Sequence, residues 1–511
     1  MTEGNLANLM ATRRAGEAVS KVPPIRRLFA RAFSLPSLLA VLSLWLVISL
    51  LLNVSGASLA PINVVSLTLL TTGCLGAAAV RVAAAPIQLW FPMPWFLLTC
   101  AGYYGFGPLL YYFGTPETVA YVDAYYPITD ATLFRCNVLT LSGTIAVITA
   151  YLVLKSILPG NVARVTNSCA NARLSRFLWK LALLFIAIGV PIKLFLVLPR
   201  ALGLIDVVLP GSLEYLGVLS LVALVPLFLL RVNAYAHSRL VFALLLVFEL
   251  TGAFMQLSKL ALLKVAIVLV LAAVLRGIAA RKLAVISIIS FAIYAIVLVP
   301  LVGYGRIAFN VLGLTSSSEA AALAGDVVRG AVRDEVAAVL PGVQAWWARL
   351  NYANAQAFAI DAYTRGQPGE TIGSAGWSFV PRFLYPDKPI ATTGDEFNEL
   401  VTGNPESKSA PGMFVEGYWN AGWPGLLLVT LVMGIFFVGW ERYTRPRLKS
   451  LQLQYLPVMW LGLFPAIQQD AWFIPGTLGI VPIAIAFHWF ARLLVAALLR
   501  NRRQHLGNRL G

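Results

Sequence analysis

Residues 35–54 read LPSLLAVLSLWLVISLLLNV, and no side chain among them carries a charge. A stretch of roughly 20 apolar residues is long enough for a helix to cross the hydrocarbon core of a bilayer. A helix on the surface of a soluble domain would show a polar face, which this stretch lacks. Residues 35–54 therefore predict a membrane-spanning helix.

Similar apolar stretches recur along most of the chain. Charged residues make up only 12% of its 511 residues and the mean hydropathy is +0.78, whereas soluble domains carry about 25% charged residues. Because backbone amides inside a bilayer must be satisfied within their own segment, each span should be a helix. We predict an all-α polytopic membrane protein with about twelve transmembrane helices. The expected spans lie near residues 35–54, 59–80, 86–113, 133–158, 177–198, 213–231, 240–258, 260–275, 283–304, 423–440, 454–470 and 474–497.

The spans divide the chain into five regions. These are a basic N-terminal segment, a bundle of about nine helices, a large loop, about three further helices and a basic tail, at 1–34, 35–304, 305–422, 423–497 and 498–511. The loop holds eight Arg and Lys against twelve Asp and Glu, although the whole chain has a net charge of +17. The cations therefore concentrate in short segments at helix ends. This bias predicts cytoplasmic termini and a loop on the opposite side of the membrane, and it lacks the contiguous basic face of a nucleic-acid-binding protein.

The cysteines give no sign of a disulfide framework or of a metal site. All four, Cys74, Cys100, Cys136 and Cys169, lie outside the large loop and their spacing matches no metal motif. Within the loop, helical spacing of apolar residues predicts helices over 319–340 and 342–364. We expect these two helices to pack on the membrane bundle.

A proline-rich segment of the loop, PRFLYPDKP at 381–389, is a candidate binding element. Its prolines fix φ and exclude a regular helix, so its side chains should be presented on a rigid, extended backbone. Arg382 and Lys388 in such a frame can coordinate a diphosphate, Arg through its planar fork and Lys as a point charge. A structural ion pair of Asp387 with either cation explains the pattern equally well.

The loop ends in GMFVEGYWNAGWPG, residues 412–425. We expect Glu416, Tyr418 and Asn420 to lie at the membrane surface there, with glycines allowing close approach of backbone or substrate. A carboxylate at that depth is costly and marks a functional candidate. The alternative is an ion pair of Glu416 with Arg306, which follows the ninth span.

Among the charged residues inside predicted spans we single out Lys193 in the fifth span, Glu249 in the seventh and Lys264 in the eighth. An ion pair between Glu249 and Lys264 across neighbouring helices is the simplest explanation. A path for protons or substrate is the alternative.

The layout and the two loop motifs resemble the O-antigen polymerases, the Wzy-like oligosaccharide repeat unit polymerases. Members of this family have many spans, one large periplasmic loop in the C-terminal half and cytoplasmic termini. The matching segments, PRFLYPDKP and EGYWNAGWPG, cover only nineteen residues. They are similar to the family's Pro-Arg…Pro-x-Lys-Pro and Gly-Glu-x-Tyr-x-Asn-x-Gly, except that Val415 stands where the family often has the first Gly.

The resemblance implies a GT-C-like fold in the bacterial inner membrane and transfer of a glycan from undecaprenyl diphosphate to a new lipid-linked repeat unit. It implies no nucleotide, no cofactor and no metal. The implied partners are the undecaprenyl-diphosphate-linked oligosaccharide, membrane lipids and a chain-length regulator protein, without nucleic acid. The implied catalytic residues are Glu416 and Asp387, as acceptors of the acceptor sugar's proton. The implied diphosphate-binding residues are Arg306, Arg382, Lys388, Arg349 and Lys408, and the implied substrate-binding residues are Tyr385, Tyr418 and Asn420.

Three other classes stay open at this point. O-antigen ligases use the same donor, but they typically carry a histidine in the loop, and His237, His488 and His505 all lie outside it. A transporter would show internal repeats and broken helices around a midplane site, and no two-fold repeat is visible here. A scaffold for envelope-assembly proteins would tolerate replacement of Arg382 or Glu416.

Overall fold

The computed structural model describes a helical protein. Within the described residues there is no strand, and seven helices are long and apolar enough to cross a membrane. Three shorter apolar helices lie at Leu213–Leu229, Leu260–Leu275 and Leu453–Ile467. The prediction of an all-α multi-pass membrane protein is confirmed at this level. The described residues are 31–124, 126–158, 171–201, 204–205, 211–230, 237–256, 259–293, 344–380, 385, 393–402 and 409–507.

Sixteen of the helices are used below and are numbered in chain order. The first ten are α1 (Leu35–Val54), α2 (Leu59–Ala84), α3 (Pro92–Thr99), α4 (Pro116–Asp123), α5 (Asp130–Ile157), α6 (Asn171–Ile192), α7 (Gly211–Leu229), α8 (Ser238–Met255), α9 (Lys259–Leu275) and α10 (Ala280–Ile293). The remaining six are α11 (Ala353–Thr364), α12 (Thr393–Thr402), α13 (Met413–Lys449), α14 (Leu456–Leu461), α15 (Phe464–Ile467) and α16 (Ile480–Gly507).

Helix α1 has the bounds predicted for the first span. The Ser34 hydroxyl accepts a hydrogen bond from the Ser37 amide at 3.3 Å and caps the helix. Pro36 follows within the first turn, where its missing N–H costs no helical hydrogen bond. Leucines on the outer face of α1 remain exposed, among them Leu44 at 63% and Leu51 at 64%, as expected of a helix that faces lipid.

The predicted span 86–113 is not one helix. It contains a 3₁₀ turn at Pro86–Trp90, then α3, a π turn at Cys100–Phe106, and short helical turns up to Phe113. Proline has no N–H to donate and its ring clashes with the preceding turn, and Pro92, Pro94 and Pro108 punctuate this segment. The sequence was apolar enough for a span, but its prolines prevent a continuous helix.

The helices pack into two large cores. The first joins α1, α2, α5 and α13, and the second joins α6, α7 and α9 with α14 and α16. Residues of α11 and α12 in the large loop, including Ala357 and Phe397, belong to the first core. The described part of the loop is thus built onto one core of the bundle.

The described loop segments meet at one end of the bundle, which we call the loop end. Residues 114–124, 126–129, 344–380 and 468–473 lie there. Asn354 donates hydrogen bonds to the carbonyl groups of Val122 and Tyr126, and the Tyr352 hydroxyl donates to Asp470 at 2.7 Å. These bonds tie the large loop to the two shorter connections.

The predicted loop helix 342–364 is two helices, Ala345–Ala348 and α11. The chain bends between them, where the backbone of Leu350 packs so closely on Gly107 that a Cβ at Gly107 would clash. Trp347 stacks on Phe106 with ring centres 5.1 Å apart, so the predicted packing of this segment on the bundle is confirmed. The predicted helix 319–340 lies outside the described residues.

Helix α13 is a hairpin. Its helical geometry breaks at Ala421 and Gly422, where Gly422 has φ 62°. A Cβ on Gly417 would lie 2.7 Å from the Gly425 carbonyl oxygen and 2.9 Å from Val429, although Gly417 and Val429 would be about 18 Å apart along a straight helix. Residues 413–420 therefore form a first arm that packs back against a second arm, 423–449.

The first arm of the hairpin is enclosed by the spanning helices. A Cβ on Gly143, in the middle of α5, would lie 2.8 Å from the Phe414 ring, and Phe414 also meets Phe96 edge to face at 6.2 Å. We expected Glu416, Tyr418 and Asn420 to lie at the membrane surface. The structure folds residues 413–420 into the protein and buries Glu416 completely, and the protein interior is where irregular backbone is tolerated at membrane depth.

The predicted ion pair between Glu249 and Lys264 is wrong. Glu249 pairs with Lys193, with 2.5 Å between the Lys193 Nζ and the carboxylate. The ion pair therefore joins α8 to the turn that follows α6, and it does not join α8 to α9, its neighbour in sequence.

Candidate functional site

Glu416 is the centre of a buried hydrogen-bond network at the loop end. Its side chain is 0% exposed. One carboxylate oxygen accepts a hydrogen bond from the Thr371 hydroxyl at 2.7 Å and the other accepts one from the backbone amide of Phe473. The carboxylate therefore connects three segments: the first arm of the hairpin, the large loop, and the connection at 468–473.

Asn420, one helical turn after Glu416, completes the network. Its amide nitrogen donates to the Thr371 hydroxyl and to the Glu416 carbonyl, both at 2.8 Å. Its side-chain oxygen accepts from the Ile372 amide at 3.0 Å. We predicted a substrate-binding role for Asn420, but protein partners already use both ends of its amide. The Asn420 side chain thus holds the loop on the hairpin, and Asn420 also lines the cleft described next, so its substrate-binding role stays a prediction.

An open cleft of about 430 Å³ lies directly beside this network. Its size falls within the usual range of small-molecule sites, about 300–1,000 Å³. The Glu370 side chain is exposed at its edge. Glu370 was not singled out from the sequence, and only its position beside glycines in a loop could have suggested it. The lining residues are Gly369, Glu370, Ile372, Gly373, Asn420 and Ala421.

Aromatic rings surround the turn of the hairpin, next to the cleft. Tyr418 lies 5.7 Å from Trp423 across the turn and 5.1 Å from Tyr363, measured between ring centres. Trp423 is 46% exposed, and the Tyr363 hydroxyl approaches Gly422 so closely that a Cβ there would lie 2.6 Å from it. The predicted substrate residue Tyr418 is thus part of a ring cluster that offers apolar faces beside a polar cleft.

Two cations lie in the same part of the loop end. Arg135, in the first turns of α5, forms an ion pair with Asp361 at 2.7 Å, and the Arg135 side chain stays 44% exposed. The Tyr126 hydroxyl donates to the other oxygen of Asp361 at 2.7 Å. Burial raises the pKa of Tyr126, and its bond to Asp361 raises it further, whereas the nearby Arg365 lowers it.

Arg135 and Asp361 are not among the residues predicted from the sequence. The signal that points to Arg135 is a cation inside a predicted span, 133–158. Intramembrane charges are functional candidates by default, so the rule that selected Lys193 and Glu249 would also have selected Arg135.

The connection at 468–473 holds residues of the site through hydrogen bonds. The carbonyl oxygen of Gln469 accepts hydrogen bonds from the Tyr104 hydroxyl at 2.5 Å and from the Met413 amide at 3.1 Å. Burial raises the pKa of Asp470, and the hydrogen bond from Tyr352 counteracts part of that rise. This connection therefore holds the start of the hairpin and, through Phe473, the carboxylate of Glu416.

Two further predicted residues are described, and neither lines the cleft. Tyr385 is 46% exposed, with its ring 5.2 Å from that of Trp377. Arg349 is exposed in the bend before α11. The other predicted site residues lie outside the described residues: Arg306, Arg382, Asp387, Lys388 and Lys408.

In the part of the chain that the structure describes, no group of three or more His, Cys, Asp or Glu side chains is arranged to hold a metal ion. The site offers carboxylates, guanidinium groups and aromatic rings. Comparison of the chain with family models, with curated proteins and with solved structures finds no match, so the chemistry has to be inferred from this site.

Proposed function

We propose that the chain is a membrane glycosyltransferase of the O-antigen polymerase type, with a GT-C-like architecture. Its donor is a glycan linked to undecaprenyl diphosphate and its acceptor is another lipid-linked repeat unit. The loop end faces the periplasm and both termini are cytoplasmic, as the charge bias predicts.

One observation carries this proposal: an open cleft at the loop end has an exposed carboxylate at its edge and aromatic rings beside it. Glu370 supplies the carboxylate, and Tyr418 and Trp423 supply the rings. Sugars present both C–H faces and hydroxyl groups. Aromatic rings suit the C–H faces, and a carboxylate suits the hydroxyl groups. Lipid-linked substrates would enter from the adjacent bilayer, since the hairpin that forms the cleft continues into a spanning helix.

The reaction requires a proton acceptor and a stabilised leaving group. The acceptor hydroxyl oxygen forms a bond to the anomeric carbon of the donor, the bond from that carbon to the phosphate oxygen breaks, and the lipid diphosphate leaves with its electron pair. The hydroxyl proton passes to a carboxylate. We assign this role to Glu370, because its side chain is exposed at the cleft, and keep Asp387 as the second candidate.

In this proposal Glu416 does not have the catalytic role that was expected from the sequence. Since its side chain is enclosed and already accepts hydrogen bonds from Thr371 and Phe473, it acts as a positioning residue for the wall of the cleft. Thr371 lies between the lining residues Glu370 and Ile372, so displacement of Glu416 would displace the proposed base.

The leaving diphosphate requires cations, which stabilise developing negative charge. Arg135 lies close enough to Tyr418 to act on it electrostatically, and Arg365 lies close to Tyr126. Arg306, Arg382 and Lys388 remain proposed ligands from the sequence, with Arg349 and Lys408 as further candidates.

The test is reconstitution of the full-length chain in liposomes with an undecaprenyl-diphosphate-linked repeat unit and no nucleotide. A ladder of products on a gel is the expected result. Transfer only to an added lipid A core would indicate a ligase instead, and the absence of any new glycosidic bond would refute the proposal. Glu370→Gln should abolish the ladder, whereas Glu399→Gln, which changes an exposed carboxylate of α12 outside the cleft, should not.

A further inference from the structure

A second cluster of charged side chains lies in the other core, away from the cleft. Glu249 precedes the end of α8 by six residues, and Lys264 follows the start of α9 by five. Both therefore lie about 8–9 Å inside the loop end of their helices. Lys193 opens a π turn, Lys193–Val197, just after Pro191 in α6. Such π turns inside helices are frequent at functional sites.

Both carboxylate oxygens of Glu249 accept hydrogen bonds within this cluster. Its side chain is 2% exposed. One carboxylate oxygen accepts from Lys193 and the other from the Ser220 hydroxyl, each at 2.5 Å. Gly189 allows this arrangement, because a Cβ there would clash with the backbone of Ser220 and separate α6 from α7.

Lys264 adds a positive charge that no described carboxylate pairs with. Its ammonium lies 4.8 Å from the centre of the Phe464 ring. Among the described residues, the charged groups that act on it are Lys193 and Glu214, and Glu214 already pairs with Arg200 at 2.5 Å. Among the described residues the cluster thus carries one more cation than carboxylates, in a part of the protein that lipid surrounds.

We propose that Lys264, with Lys193 beside it, binds the phosphate group of a membrane lipid in the leaflet at the loop end. Within the described part of the chain the excess charge has no anionic partner, and a charge at this depth is costly without one. Lysine stems lie along apolar surface while the ammonium reaches toward the headgroup region, and the Phe464 ring beside Lys264 provides such a surface. The inference does not depend on the proposed glycosyl transfer.

Native mass spectrometry of the full-length chain in a neutral detergent tests the inference. The probes are phosphatidylglycerol, diacylglycerol, which lacks the phosphate, and inorganic phosphate. The wild-type chain should retain phosphatidylglycerol more tightly than diacylglycerol. Lys264→Met should weaken phosphatidylglycerol binding about tenfold, equivalent to ~1.4 kcal/mol. Lys282→Met is the matched control, since Lys282 is exposed at the opposite end of the bundle, and it should leave binding unchanged.

Equal retention of phosphatidylglycerol and diacylglycerol, or unchanged binding by Lys264→Met, would overturn the inference. Binding of inorganic phosphate with no preference for the phospholipid would show that free phosphate is the occupant and would overturn the lipid assignment. Thermal unfolding of lipid-free Lys264→Met adds a second measurement. The variant should unfold at the same or a higher temperature than wild type, because an isolated buried charge is removed. A lower temperature, restored in the presence of Asp206→Asn, would assign Lys264 to an ion pair with Asp206, which lies outside the described residues, and would also overturn the inference.

Discussion

Replacing Glu416 by alanine should loosen the cleft before it destabilises the rest of the bundle. The carboxylate accepts hydrogen bonds from the Thr371 hydroxyl and the Phe473 amide inside the protein. Each buried donor left without a partner costs about 1–3 kcal/mol. The Thr371 hydroxyl can rotate toward another acceptor and the Phe473 amide cannot, so we expect about 3 kcal/mol in total. At ~1.4 kcal/mol for each tenfold change, local opening should become roughly a hundred times more populated.

Hydrogen–deuterium exchange with mass spectrometry measures this effect directly. Exchange in Glu416→Ala should accelerate by up to about a hundredfold in peptides covering 369–373 and 469–473, and it should stay unchanged in 259–275 of the second core. Glu416→Gln keeps one acceptor oxygen and should give an intermediate rate. Glu399→Ala, on the exposed face of α12, is the control. Acceleration of less than about threefold in both peptides would refute the role assigned to Glu416.

Three further outcomes are expected. Gly422→Ala should lower the free energy of unfolding by about 1–3 kcal/mol in thermal unfolding, because φ is 62° and the new Cβ would meet the Tyr363 hydroxyl. Adding Tyr363→Phe should recover part of this loss. Equal stability of Gly422→Ala and wild type would contradict the hairpin. Burial raises the pKa of Asp470 above 3.8, so the folded chain holds this proton to higher pH than the unfolded chain and loses stability as pH rises through the raised pKa. Asp470→Asn should remove that slope in unfolding scans between about pH 4 and pH 7, and a variant less stable than wild type at neutral pH would contradict it. Arg135→Ala breaks a half-exposed ion pair with Asp361, which should cost less than about 1 kcal/mol of stability yet shorten the product ladder; an unchanged ladder would remove Arg135 from the proposed site.

The membrane class and the first span could be predicted because they depend on local properties. Residues 35–54 have no charge, and a serine and a proline precede and begin the helix, so composition and capping agree. The segment 86–113 shows the limit of hydropathy. Its prolines are visible in the sequence, but the mean hydropathy of the segment does not register them. The prediction of a single helix was therefore wrong there.

The site was predictable only in part, since its geometry depends on contacts between distant residues. The sequence singled out Glu416 as a catalytic candidate, but the enclosure of its side chain follows from the hairpin. The apolar pattern of residues 413–449 is the same for a straight helix and for one folded at Gly422. Nor does spacing reveal that Glu249 meets Lys193 across 56 positions of sequence and not the nearer Lys264.

The hairpin also constrains the order in which the chain can reach its final form. Its first arm is held by Gln469 and Phe473, which are synthesised more than fifty residues after Met413. While the ribosome is still adding those residues, the arm has neither the Gln469 carbonyl for its first amide nor the Phe473 amide for its carboxylate. Assembly of the cleft is therefore a late event in biogenesis, completed only after the C-terminal helices have been inserted beside it.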